Sequence, residues 1–146
     1  MLFLAAGAVI HSVANEQNIY KLGGLNKVLP LSSIFILIGS LSLMGWPFYT
    51  GYYSKEYIIH TSFYTYVWSD LFLFWISNIA ILFTTLYSTK LLYFVFMKEA
   101  KANKYTYLKV KEGSKLTLLP LIIVALASIV IGYFTSEAFI IGSDFF

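Results

Sequence analysis

Gly45-Trp46-Pro47-Phe48-Tyr49-Thr50-Gly51-Tyr52-Tyr53-Ser54-Lys55-Glu56 interrupts an otherwise apolar stretch, residues 30–60. A continuous helix over that stretch would run about 45 Å, longer than the hydrocarbon core of a bilayer. Pro47 has no N–H to donate to the carbonyl of Leu43, and its ring drives Trp46 out of helical angles. Gly45 and Gly51 frame a short piece of backbone that leaves a helix at little steric cost. Gly45, Pro47 and Gly51 are therefore expected to break the helix. In membranes such a break is tolerated only where protein or water satisfies the freed groups, and in transporters it often marks an ion path.

Two readings of Lys55 stand open on these residues alone. Residues 31–49 are enough for a plain span, with Trp46, Phe48, Tyr49, Tyr52 and Tyr53 as an interfacial aromatic belt and Lys55 and Glu56 solvated just outside. Alternatively Lys55 lies inside the protein at membrane depth. A lysine there gives up its proton far more readily than one in water, which makes it a workable proton carrier. Glu56 is about 100° round the helix from Lys55 and need not be its partner. Tyr52, Glu56 and His60 share one helix face, either a relay or the wet side of a helix end.

The rest of the chain says which kind of protein this is. Of 146 residues 59% are hydrophobic and 12% charged, against about a quarter charged in soluble domains. Mean hydropathy is +0.76. These values imply an all-α integral membrane protein forming one membrane domain, residues 1–146. The segments expected are a partial helix over 1–14, the broken helix over 30–60, a helix over 71–97, a Lys-rich loop over 98–115, a helix over 116–135 and a tail over 136–146. Fourteen residues reach only about 21 Å, so the first reads as the second half of a helix; it lacks the basic start and cleavage site of a signal peptide. The ten basic residues are all Lys against seven acids, net +3. With no Arg for planar phosphate or base recognition, nucleic acid is not an expected partner. The absence of Cys excludes disulfides, thiolate metal sites, iron–sulfur clusters and Cys nucleophiles.

Eight of the ten lysines lie in 15–29 and 98–115, and none in 61–70 or 135–146. Three spans between the ends put both Lys-rich segments on one face, the cytoplasmic or matrix side, in contact with lipid headgroups. Lys55 and Lys90 remain. Lys90 lies inside the third apolar stretch and is within partial reach of the Lys-rich end by snorkelling. It points about 120° from Asn78 and so does not extend the polar flank of Ser77, Asn78, Thr84, Thr85, Ser88 and Thr89, which suits helix packing. Two distant His without carboxylates at ligand spacing make no metal site, and no nucleotide loop or hydrolase elbow is present. No cofactor and no redox or hydrolytic chemistry is expected of this chain.

An ordered series of motifs then carries a resemblance. Leu2-Phe3-Leu4-Ala5-Ala6-Gly7-Ala8-Val9-Ile10-His11 is followed by Asn15-Glu16-Gln17-Asn18-Ile19 and Lys21-Leu22-Gly23-Gly24-Leu25. Gly39-Ser40-Leu41-Ser42-Leu43-Met44-Gly45-Trp46-Pro47-Phe48, Gly51-Tyr52-Tyr53-Ser54-Lys55-Glu56 and Leu86-Tyr87-Ser88-Thr89-Lys90 continue it. The chain resembles the antiporter-like subunit 5 family of respiratory complex I, the proton-pumping NADH:ubiquinone oxidoreductase. The likeness runs over essentially the whole length, densest in the first ninety residues. It implies part of an antiporter-like helix bundle with one discontinuous transmembrane helix in the mitochondrial inner membrane. It also implies that Lys55 is a membrane-embedded lysine of a proton channel, near the outlet of a central hydrophilic axis.

The family usually has Asp where Glu56 stands and Arg where Lys90 stands, so both charges are kept. A carboxylate at the position of Lys55 is expected in the related subunit 4. The family's His-x-x-x-Lys motif precedes the part matching Leu2, and a long lateral helix and anchor follow the part matching 142–146. A split subunit is the resulting expectation. Its partners would be an upstream half carrying His-x-x-x-Lys, a lateral-helix segment on another chain, other membrane-arm subunits and lipids. The alternatives are a structural, non-conducting membrane-arm fragment and a component of a related cation/proton antiporter.

Overall fold

The computed structural model describes residues 1–64, 68–99, 110, 112–113 and 115–136. The described residues form α1 (Leu2–Ser12), α2 (Pro30–Met44), α3 (Thr50–Tyr64), α4 (Trp68–Leu92), a π-helical turn (Tyr93–Met97) and α5 (Lys115–Ser136), with a 3-10 turn at Leu25–Lys27 between α1 and α2. The lysines at 101, 104, 109 and 111 and the tail from 137 lie outside the described residues.

Two compact units divide the chain, Met1–Ser40 with Ser88–Ala125 and Leu41–Tyr87 with Leu126–Phe146. The first holds the apolar core. Ala5, Val9, Leu25, Leu29, Phe35, Ile36, Val95, Phe96, Leu121 and Ala125 are buried against one another. Its local structure follows from its sequence. Pro30 opens α2 at the one helical position where a missing N–H costs nothing. The next amide, Leu31 N–H, donates to Glu112 Oε1 at 2.7 Å, a carboxylate at the positive end of a helix dipole. α1 stops at Ser12 rather than 14, because Ala14 and Asn15 take φ of 54° and 61°. The Asn15 N–H then returns to Ile10 O at 2.9 Å, the wide closure of a left-handed helix end.

The second unit has no buried large side chain among its described residues. Its helices meet through small residues. Thr50 Oγ1, at the start of α3, donates to the Ser128 carbonyl of α5. A Cβ on Gly132, one turn along, would come within 2.6 Å of Thr50 Cα. Ser128 and Gly132 thus form the small-xxx-small spacing by which apolar helices pack closely.

Two stretches, Leu71–Met97 (27 residues) and Leu116–Phe134 (19 residues), are long and apolar enough to cross a bilayer. Their outer faces carry Phe72, Trp75, Phe83, Leu116, Ile123 and Leu126, all more than half exposed. Apolar surface on that scale is stable in lipid or against other subunits, not in water. The chain is an all-α, membrane-spanning bundle with one discontinuous helix. Several observed boundaries differ from those expected. α4 begins at Trp68, α5 includes Lys115 and Ser136, and α4 gives way at Leu92 to the π turn. There the Lys98 N–H reaches back to Tyr93 O at 2.8 Å. The wider turn sets the Phe94 ring edge-on to Tyr20, centroids 5.2 Å apart, with the Lys98 ammonium 4.6 Å from its centre.

Candidate functional site

The break is built from the backbone outward. α2 ends at Met44, and Gly45 takes φ 84°, a conformation that costs an L side chain roughly 1–2 kcal/mol. The Gly45 N–H turns back to Ser42 O (3.3 Å) and the Trp46 N–H to Leu41 O (3.0 Å). Those two bonds together are the Schellman closure of a helix C-terminus, with Pro47 following where a helix cannot continue. The chain then turns through Phe48, at φ 75°, and re-enters a helix at Thr50. A Cβ on Gly51 would collide with the Ser42 carbonyl. Only a glycine allows the first turn of α3 to lie against the last turn of α2.

This accounting exposes one carbonyl in particular. Leu41 and Ser42 are satisfied by the closure, but the regular partner of Leu43 is the amide of residue 47, a proline. The Lys55 Nζ donates to Leu43 O. The lysine side chain runs past the break, with its Cδ 3.5 Å from where a Gly45 Cβ would stand. Lys55 is half-buried, whereas Glu56 is exposed. The two do not pair. Among the described residues the ion pair formed is Lys21 with Glu16, at 3.4 Å. Glu56 stands one turn after Tyr52 on the same helix face, and both line the cleft beside the break.

Beside the break lies a cleft of about 260 Å³, lined by Met44, Gly45, Tyr52, Lys55, Glu56, Ile59, Asn78 and Ile81. It has room for several water molecules among groups able to bind them. Lys55 and Glu56 thus meet in one cleft. His60 belongs to α3, but its side chain lies outside the described residues. Lys90 is exposed near the end of α4 and is not among the lining residues. The sequence identifies the Leu43 carbonyl but not its donor, and it places Asn78 on a polar flank without linking it to the break. The Asn78 Nδ2 donates to Phe74 O at 2.8 Å, and the residue lines the cleft. The signal for Leu43 was present, since Pro47 names the carbonyl it abandons, but nothing local says what takes it.

Residues 1–84 match the family model described as NADH:quinone oxidoreductase/Mrp antiporter, transmembrane. The chain is similar to NADH-ubiquinone oxidoreductase chain 5 of Phytophthora infestans, 44% identical over 146 residues, covering 99% of this chain and 22% of that one. The protein of the same name from Cryphonectria parasitica is also 44% identical over 146 residues, with 99% and 22% covered. That of Rhizopus stolonifer is 40% identical over 147 residues, with 100% and 22% covered. The chain spans about a fifth of the length of these curated relatives.

Proposed function

Because the chain belongs to the NADH:quinone oxidoreductase/Mrp antiporter transmembrane family, we propose that it supplies the lysine-bearing broken helix of a proton path in the membrane arm of NADH:ubiquinone oxidoreductase. Its location is the mitochondrial inner membrane. Its partners are the other membrane-arm subunits, the remaining elements of the path, and lipid on its apolar faces. It works as part of a proton-translocating NADH:ubiquinone reductase, and electron transfer takes place on other subunits.

The observation that carries this reading is the position of Lys55. It stands at an interrupted helix, half-buried, with its ammonium against a helix C-terminus and its stem along a polar cleft. A helix C-terminus presents partial negative charge to the ammonium, and the cleft beside it has room for the water a carrier needs. Water in the cleft would link Lys55 to Tyr52, Glu56 and Asn78, which line it. Protonation and release at Nζ, driven by electrostatic changes from elsewhere in the complex, would move one charge through the site.

The test is Lys55→Met in the assembled complex, in sealed inner-membrane vesicles. NADH-driven acidification is expected to fall at least severalfold while the complex still assembles on a native gel. Wild-type acidification per NADH oxidised would overturn the reading.

A further inference from the structure

We propose that Lys55 is itself the missing backbone donor of the break: its Nζ replaces the N–H that Pro47 withholds from Leu43, so the charge on Lys55 sets how firmly the end of α2 is held. This builds on the reading of Lys55 as a proton carrier.

Three independent features converge on it. Pro47 removes the one amide that a continuing helix would offer the Leu43 carbonyl. The closure at Gly45 and Trp46 satisfies Ser42 and Leu41 and passes Leu43 by. The lysine that reaches Leu43 comes from twelve residues away in sequence, across the close approach that Gly51 permits. At membrane depth an unpaired carbonyl finds no water to replace its lost partner, so this donor matters to the break as well as to the proton.

The consequence is a coupling. An ammonium donates a charge-assisted hydrogen bond, about twice as strong as the bond from a neutral amine. The amine left after deprotonation still has N–H groups, so the contact is weakened and not abolished. The break therefore loosens when Lys55 is neutral and tightens when it is charged. Gly45 at φ 84° and Phe48 at φ 75° are the backbone positions that would give way. Charge at Nζ and geometry of the helix end become two readings of one state, which is what a local proton gate requires.

Hydrogen–deuterium exchange of the assembled complex tests this, read on fragments covering residues 41–50, whose Gly45 and Trp46 amides make the closing bonds. In Lys55→Met, exchange there is expected to rise about tenfold, the size of one hydrogen bond to a charged group. Lys55→Arg keeps a cationic donor but cannot release its proton, so its exchange should stay near wild type while pumping is lost. An unchanged rate in Lys55→Met overturns the inference. So does an equal rise in both variants, which would mean that any change at Lys55 disturbs the packing. Lys55→Gln, neutral and too short to reach, serves with the same expectation if the Met variant fails to assemble. The outcomes are separable from those of the function test. Pumping retained in Lys55→Met would sink the carrier reading, whereas the exchange rates judge only the cap.

Discussion

Pro47 and Pro120 both sit in apolar helical sequence, yet α2 stops short of Pro47 while α5 runs straight through Pro120, from Lys115 to Ser136. Each withholds an N–H from the carbonyl four residues back, Leu43 in one case and Leu116 in the other. The surroundings differ. Pro47 stands two residues after a glycine at φ 84° and directly before a phenylalanine at φ 75°, so the chain turns twice within four residues. Pro120 is the sixth residue of its helix, and the carbonyl it abandons belongs to the first turn, on a Leu116 that is 87% exposed. Loss of one bond near a helix end is tolerated; loss of one bond beside a left-handed turn ends the helix. Proline removes a bond, glycine redirects the chain, and a lasting break also needs a donor for the stranded carbonyl. Lys55 fills that last role at one proline only.

The contrast predicts which substitutions matter, beginning with the glycine that lets the two half-helices meet. Gly51→Val places branched carbons into the Ser42 carbonyl. Neither backbone can yield without undoing the break, so the cost is at the upper end of the roughly 1–3 kcal/mol for overpacking. The assembled complex on a native gel should fall about tenfold or more; normal assembly would mean that the two helix ends are farther apart than described here. Gly45→Ala ranks next. An alanine at φ 84° costs about 1–2 kcal/mol but fits the space, since the nearest side-chain atom stands at 3.5 Å. The complex should assemble and lose thermal stability, with faster exchange over residues 41–50. A variant as stable as wild type would show that Gly45 is not what turns the chain.

Pro47→Ala separates the proline from the glycine. If the proline alone made the break, alanine would let α2 run on into α3. Gly45 and the contact of Gly51 with Ser42 oppose that, so the break is expected to persist, at a stability change below about 1 kcal/mol. The new amide at residue 47 becomes a competitor to Lys55 for Leu43, and a modest decrease in pumping is expected. Cysteine pairs placed across residues 44 and 50 would report a rejoined helix as a lengthened separation, which would reverse the assignment of roles.

Much of this is legible in the sequence alone. Gly45 and Pro47 together announce a break through local chemistry, because a residue free to take positive φ stands two positions before one that withholds its N–H. The i, i+4 relation of Tyr52 and Glu56 is likewise local, and both residues line the cleft. The partner of Lys55 was not legible, since it depends on α3 folding back along the end of α2, a tertiary event. Counting faces on α4 places Asn78 on the polar flank, which says which residues lie together and not that this one also lines the cleft. The π turn at Tyr93–Met97 was hidden too. Apolar residues at 93–97 fit any helix, and one extra residue per turn leaves no mark in such a run.

Pro120 supplies the smallest expected effect and the sharpest control. Its ring is exposed, while Leu121 and Ala125, four residues apart on the buried face, hold the helix in place. Pro120→Ala therefore changes no packing, and it returns an N–H to the Leu116 carbonyl. An interior proline costs a helix about 3 kcal/mol relative to alanine, but this one lies near the first turn, where only part of that cost applies. Alanine also frees the unfolded chain, which offsets some of the gain. The net change should be a stabilisation of less than about 1 kcal/mol, seen as a small rise in thermal midpoint, with NADH-driven acidification unchanged. If Pro120→Ala lowered acidification as far as Lys55→Met, the loss of one backbone bond would be functional wherever it occurs. The special standing of the break at Pro47, with its glycine turn and its lysine donor, would then be lost.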